Sequence, residues 1–132
     1  MLLMKKYFII FGFVLTCLLS LTAKADLFDE LAQAFRNKNI SPIVQNLATV
    51  VELKFEANTN SYSHTQAEHV LREFITNNTI KNVTIMHRGK SKQGGQYVIY
   101  LLETAKGNYR TFVYSRDFNG KQLIVEMGFE KE

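Results

Sequence analysis

IKNVTIMHRGKSKQGGQYVIYLLETAKGNYRTFVYSRDFNGKQLIVEMGFE, residues 80–130, decides the fold. Four runs within it are rich in β-branched and aromatic residues: Val83–His87, Tyr97–Leu102, Tyr109–Tyr114 and Leu123–Met127. Such runs suit half-buried strands. Between them stand Gly94-Gly95, Gly107-Asn108 and Asn119-Gly120. Tight hairpin turns need positive φ, which these dipeptides supply. The stretch therefore predicts four hairpin-linked strands.

Working back from it, Ser63-x-x-Gln66 is a capping box. It predicts a helix to about Asn77, with Ala67, Val70, Leu71, Phe74 and Ile75 as its apolar stripe. Glu68 and Arg72 are placed for an i, i+4 pair on the wet side. Asn58–Ser61 reads as a loop. Thr49–Glu56 alternates, with Val51, Leu53 and Phe55 on one face, and reads as a strand. Ser41-Pro42 opens a short helix. Asp26 to about Asn37 reads as a helix with Leu27, Leu31, Ala34 and Phe35 on one face. Its acids, Asp29 and Glu30, lie in the first turn, where the helix dipole favours them. The predicted order is α-α-β-α-β-β-β-β: an α+β domain with a curved antiparallel sheet of about five strands and helices on one face.

Residues 1–25 read differently. Lys5 and Lys6 precede an apolar run from Tyr7 to Leu21, and Ala23-Lys24-Ala25 fits the small-x-small cleavage pattern. These features describe a secretory signal peptide cut after Ala25, leaving one domain, residues 26–132. The run is shorter than the ~20 residues of a membrane span. The expected location is periplasmic or secreted. The alternatives are an uncleaved membrane anchor or lipid attachment at Cys17, where Thr16 is larger than such sites prefer. Cys17 is the single cysteine, so the expected mature domain forms no disulfide. Losing Lys5, Lys6 and Lys24 takes the 16 basic residues to 13, against 12 acidic, a net charge of +1. A non-specific nucleic-acid binder carries a stronger basic excess. No cofactor motif is present. His64 and His69 are five apart, about 140° around a helix, so they share no face for a metal.

The chain resembles the nuclear-transport-factor-2-like (cystatin-like) fold in its order of elements. More closely, it resembles a small exported family of Bacteroidota, domain of unknown function number 4783. The residues that carry this are Tyr62-Ser63-x-x-Gln66-Ala67-x-x-Val70-Leu71-x-x-Phe74 and His87-x-Gly89-x-Ser91, followed by Tyr97-x-Ile99, Leu102-x-Thr104 and Gly107-x-Tyr109-Arg110. The resemblance implies a sheet curved around a helix into a cone with a pocket, and it implies no activity. One departure is Tyr100, where similar sequences often carry glycine; facing the pocket, a tyrosine narrows it.

Three residues are candidates for a site. His87 shares strand parity with Val83 and Ile85, so it is expected to face inward with them, as a general base, a ligand contact or a structural histidine. Arg110 is an anion clamp, a charge on the outer face, or half of a buried pair with Glu52 or Glu126. Tyr97 would orient a ligand beside His87. Arg88, Lys90 and Lys92 form either an anion-binding stripe or a charged strand edge. Glu52 lies off the buried parity. Apolar residues occupy both faces of one strand: Tyr97, Ile99 and Leu101 against Val98, Tyr100 and Leu102. The helices cover only one face, so the outer face is expected to meet a second copy or another envelope protein. The favoured function is a non-catalytic envelope module that binds a small ligand in the cone or a protein on the outer face. The alternative is a small isomerase- or dehydratase-like enzyme with His87 as base.

Overall fold

A computed structural model describes residues 26–132; the expected leader, with Cys17 and the cleavage point, lies outside the described residues. The elements in order are α1 (Leu27–Arg36), α2 (Ser41–Gln45), β1 (Leu47–Phe55), β2 (Asn58–Ser63), α3 (His64–Asn77), β3 (Ile80–Lys90), β4 (Gln96–Thr104), β5 (Gly107–Phe118) and β6 (Lys121–Lys131). The α+β class and the curved sheet stand as expected.

The sheet has six strands in the order β2-β1-β6-β5-β4-β3. Two features differ from the expectation. Asn58–Ser61 is strand rather than loop, paired antiparallel with β1 through a turn at Glu56-Ala57. Glu56 takes φ +55° there without the glycine that usually signals such a turn. In addition, β1 pairs with β6 in parallel, so the sheet is mixed. The β5–β6 turn is at Asn119-Gly120 as read, with φ +55° and +87°. The β4–β5 turn sits two residues early, at Ala105-Lys106, and Gly107 follows it at φ +120°. The Thr104 hydroxyl helps close that turn, donating to the Gly107 carbonyl at 2.6 Å.

The capping box forms as read. Ser63 Oγ accepts from the Gln66 backbone N–H at 3.2 Å, and Gln66 Oε1 accepts from the Ser63 N–H at 3.1 Å. Ala67, Leu71 and Phe74 then point into the core. On the wet side Arg72 and Glu68 pair at 2.9 Å. Helix α1 buries Phe28, Leu31, Ala32, Ala34 and Phe35.

Both ends of α1 are fastened to the edge strand β3. Arg88 reaches Asp26 at 2.5 Å and Asp29 at 2.7 Å. Arg36 Nη2 donates to the Val83 carbonyl at 2.9 Å. A bare strand edge is a template for unwanted pairing; here a helix and an arginine occupy it. The expected basic stripe is therefore broken, because Arg88 is committed to α1.

Where a pocket is expected, the cone is filled. Tyr100 is fully buried. Its ring meets Phe35 edge-on at 5.8 Å, and its hydroxyl donates to the Phe28 carbonyl at 2.6 Å. Burial pushes the Tyr100 phenol far above its usual range. The folded chain thus keeps this proton while the unfolded chain, with an ordinary value of about 10, releases it. Stability is expected to hold to about pH 10 and then to fall by up to about 1.4 kcal/mol per pH unit. Urea unfolding between pH 8 and 11 checks this. Tyr100→Phe lacks the group, so equal alkaline slopes for the two proteins would refute the assignment.

Candidate functional site

With the helices on one side, the other side of the sheet is open, and its side chains form three rows across the strands. The middle row is Lys54, Gly128, Phe112, Ile99 and His87, from β1 to β3. One row beside it is Glu52, Glu126, Tyr114, Tyr97 and Gly89. The other contains Glu130, Arg110 and Leu101, with Glu56 just past the end of β1. Strands β4 and β5 thus present Tyr97, Ile99, Leu101, Phe112 and Tyr114, all half-buried. Strands β1 and β6 present mainly charge.

His87 lies on this outer face and is exposed, not inward as parity predicted. The reason is a bulge. Ile85 pairs with Tyr100 but His87 pairs with Ile99, so Met86 is an extra residue. One extra residue reverses the facing of everything beyond it. Arg110 is also on the outer face, exposed, with its Nε 3.5 Å from Glu132. Neither residue lies in the closed cavity that the base-and-clamp reading requires. Glu52 is exposed, as its parity indicated.

The structure joins His87 to Tyr97: Nε2 lies 3.0 Å from the Tyr97 hydroxyl. The His87-x-Gly89-x-Ser91 run serves two tyrosines. The Tyr97 ring crosses Gly89, where a Cβ would come within 2.6 Å of the hydroxyl. The Tyr114 hydroxyl lies 3.2 Å from Ser91 Oγ, and its ring crosses Gly95, where a Cβ would come within 2.1 Å. Arg116 sits over the Tyr114 ring at 5.7 Å. The Ser91 hydrogen bond, with Arg116 nearby, holds the Tyr114 phenol below its usual range. Phe112 lies between, its ring 6.2 Å from Tyr97 and 6.5 Å from Tyr114. This fixing of the two tyrosine rings beside Phe112 was missed in the sequence. The spacing of Gly89 and Gly95 against Tyr97 and Tyr114 was the available signal.

Beside the rings, Gly128 leaves a dip between Lys54 and Phe112. It is a groove of about 200 Å³, bordered also by Arg110, Glu126 and Glu130. Chemically, such a surface can receive a protein side chain between an aromatic wall and two carboxylates. Among the described residues, no helix is long and apolar enough to cross a membrane.

The family model described as Domain of unknown function (DUF4783) matches residues 28–130. The chain belongs to this family. A DUF4783 family protein from Bacteroides fragilis YCH46 is 26% identical with a TM-score of 0.73, covering 78% of this chain and 96% of that one. Another, from Bacteroides uniformis ATCC 8492, is 24% identical with a TM-score of 0.74, covering 79% and 95%. An NTF2-like protein from Cytophaga hutchinsonii ATCC 33406 is 9% identical with a TM-score of 0.62, covering 81% and 93%. That last likeness shows the fold alone, which is the nuclear-transport-factor-2-like cone. None of the curated proteins matches the chain. In this DUF4783 domain the inside of the cone is packed, and the outer face of its sheet holds the groove.

Proposed function

We propose that this DUF4783 domain is a non-catalytic protein-interaction module of the bacterial envelope, exported by a leader cut after Ala25, and that it works through its outer sheet face. The observation that carries the reading is the contiguous cluster of rings on that face, Phe112 beside the fixed Tyr97 and Tyr114. The two tyrosine rings, held by glycine and hydroxyl contacts, lose little freedom on binding, which favours association. Support for export comes from the charged, apolar and small-residue pattern of residues 1–25. A small ligand inside the cone is the weaker reading, since Tyr100 occupies that space.

Native mass spectrometry of the exported protein, purified gently from its own envelope, tests the reading. The expected spectrum shows a protein–protein assembly without a small-molecule adduct, and Phe112→Glu dissolves that assembly. An assembly that persists in Phe112→Glu, or a small molecule held equally by both proteins, overturns it.

A further inference from the structure

The outer face is complementary to itself. Strand β6 lays Glu126, Gly128 and Glu130 along it, and its neighbour β5 lays Tyr114, Phe112 and Arg110 opposite them, position by position. The first strand thus offers acid, a dip, acid. The second offers aromatic rings and a guanidinium. Consider a two-fold axis lying in the interface, parallel to the strands and between β5 and β6. It sets β5 of one copy over β6 of the other at the same height. Phe112 then lies over the partner's Gly128 dip, and Arg110 meets the partner's Glu130. Isologous contacts of this kind are the commonest way soluble chains dimerise, and two sheets pack face to face with strands nearly aligned.

We propose that the partner on the outer face is a second copy of this chain, held by Phe112 over the partner's Gly128 dip and by two symmetric Arg110–Glu130 pairs. The proposal rests on the outer face being the interaction surface. Charge and space both support it. Among the described residues Glu130 and Glu126 have no ion-pair partner, and Arg110 has only the long 3.5 Å contact with Glu132. The dip is genuine space: a Cβ on Gly128 would meet nothing closer than Lys54 Cβ at 3.8 Å and Phe112 Cβ at 4.0 Å. Filling it therefore leaves the monomer undisturbed while excluding the partner's ring.

The test is sedimentation of the 26–132 chain carrying Arg110→Glu, Glu130→Arg, Gly128→Val or no change. The unchanged protein is expected to be a dimer. Each single variant is expected to raise the dimer dissociation constant on the order of 100-fold, because like charges or a filled dip then face each other. These sites are on the open face, so circular dichroism stays near that of the parent, while the melting temperature falls only by what the dimer contributes. The decisive sample is an equimolar mixture of Arg110→Glu with Glu130→Arg. There each pair is again Glu opposite Arg across the interface, and dimer returns. Arg110 and Glu130 also neighbour each other within one chain. Rescue only when both changes sit in the same chain, and not in the mixture, marks an internal pair and overturns the proposal. A parent protein that remains monomeric at the highest soluble concentration overturns it too. The broader interaction reading survives that second result if Phe112→Glu still removes an assembly with a different envelope protein, and falls with it if Phe112→Glu changes nothing.

Discussion

Tyr100→Gly is expected to cost about 3–6 kcal/mol. Large-to-small changes of buried aromatics cost about 3–5 kcal/mol, and glycine inside a strand adds up to about 1. Tyr100 meets both conditions: it is fully buried, central in β4, and bonded to the Phe28 carbonyl. Domains of this size have about 5–15 kcal/mol in total, so the variant sits near the edge of folding. Its hole would border Thr111, which pairs with Tyr100 across the strands and whose buried Oγ1 has no partner among the described residues. Para-cresol, which has the shape of the lost side chain, is expected to bind there. At 100 times its dissociation constant it restores about 2.7 kcal/mol. Chemical unfolding with and without para-cresol measures both numbers. A cost under about 2 kcal/mol would mean that the cone collapses around the gap, and Tyr100 would not then be what fills it.

Phe129→Ala is expected to cost about 3–5 kcal/mol. Phe129 is 2% exposed and stacks on Phe55 at 5.1 Å with planes 7° apart. It also meets Phe74 of α3 at 4.4 Å. Phe74 in turn meets Tyr109 edge-on at 5.1 Å. This cluster ties β1, β5 and β6 to the long helix, at the end of the sheet away from α1. Coupling between Phe129→Ala and Phe74→Ala is expected at about 0.5–3 kcal/mol, because the two rings share one contact. A double-mutant cycle by urea unfolding gives the value. Strict additivity would show that α3 is held by its other buried residues, Ala67 and Leu71, and not by the aromatic cluster.

The sequence by itself determined the elements whose signals are local. The capping box at Ser63–Gln66 sets where α3 starts, because two reciprocal hydrogen bonds span only four residues. Asn119-Gly120 sets a hairpin, because both residues accept positive φ. Alternation in Thr49–Glu56 placed Glu52 outside, and the four late strands were legible as runs. His87, expected inward, lies on the outer face with Tyr97 and Arg110. What the residues alone did not carry was the side each one faces and what lies next to it. Strand β2 is polar and exposed along most of its length, so no burial pattern announces it; its register against β1 does. The parallel pairing of β1 with β6 joins segments about 75 residues apart, and no local preference encodes such a contact. His87 faces outward because β3 carries one more residue than its partner at Met86, a count that becomes visible only when the two strands are paired. The same is true of the two tyrosines. Their rings are fixed by Gly89, Ser91 and Gly95 from a neighbouring strand and turn, and that contact exists only after the sheet has brought those backbones together.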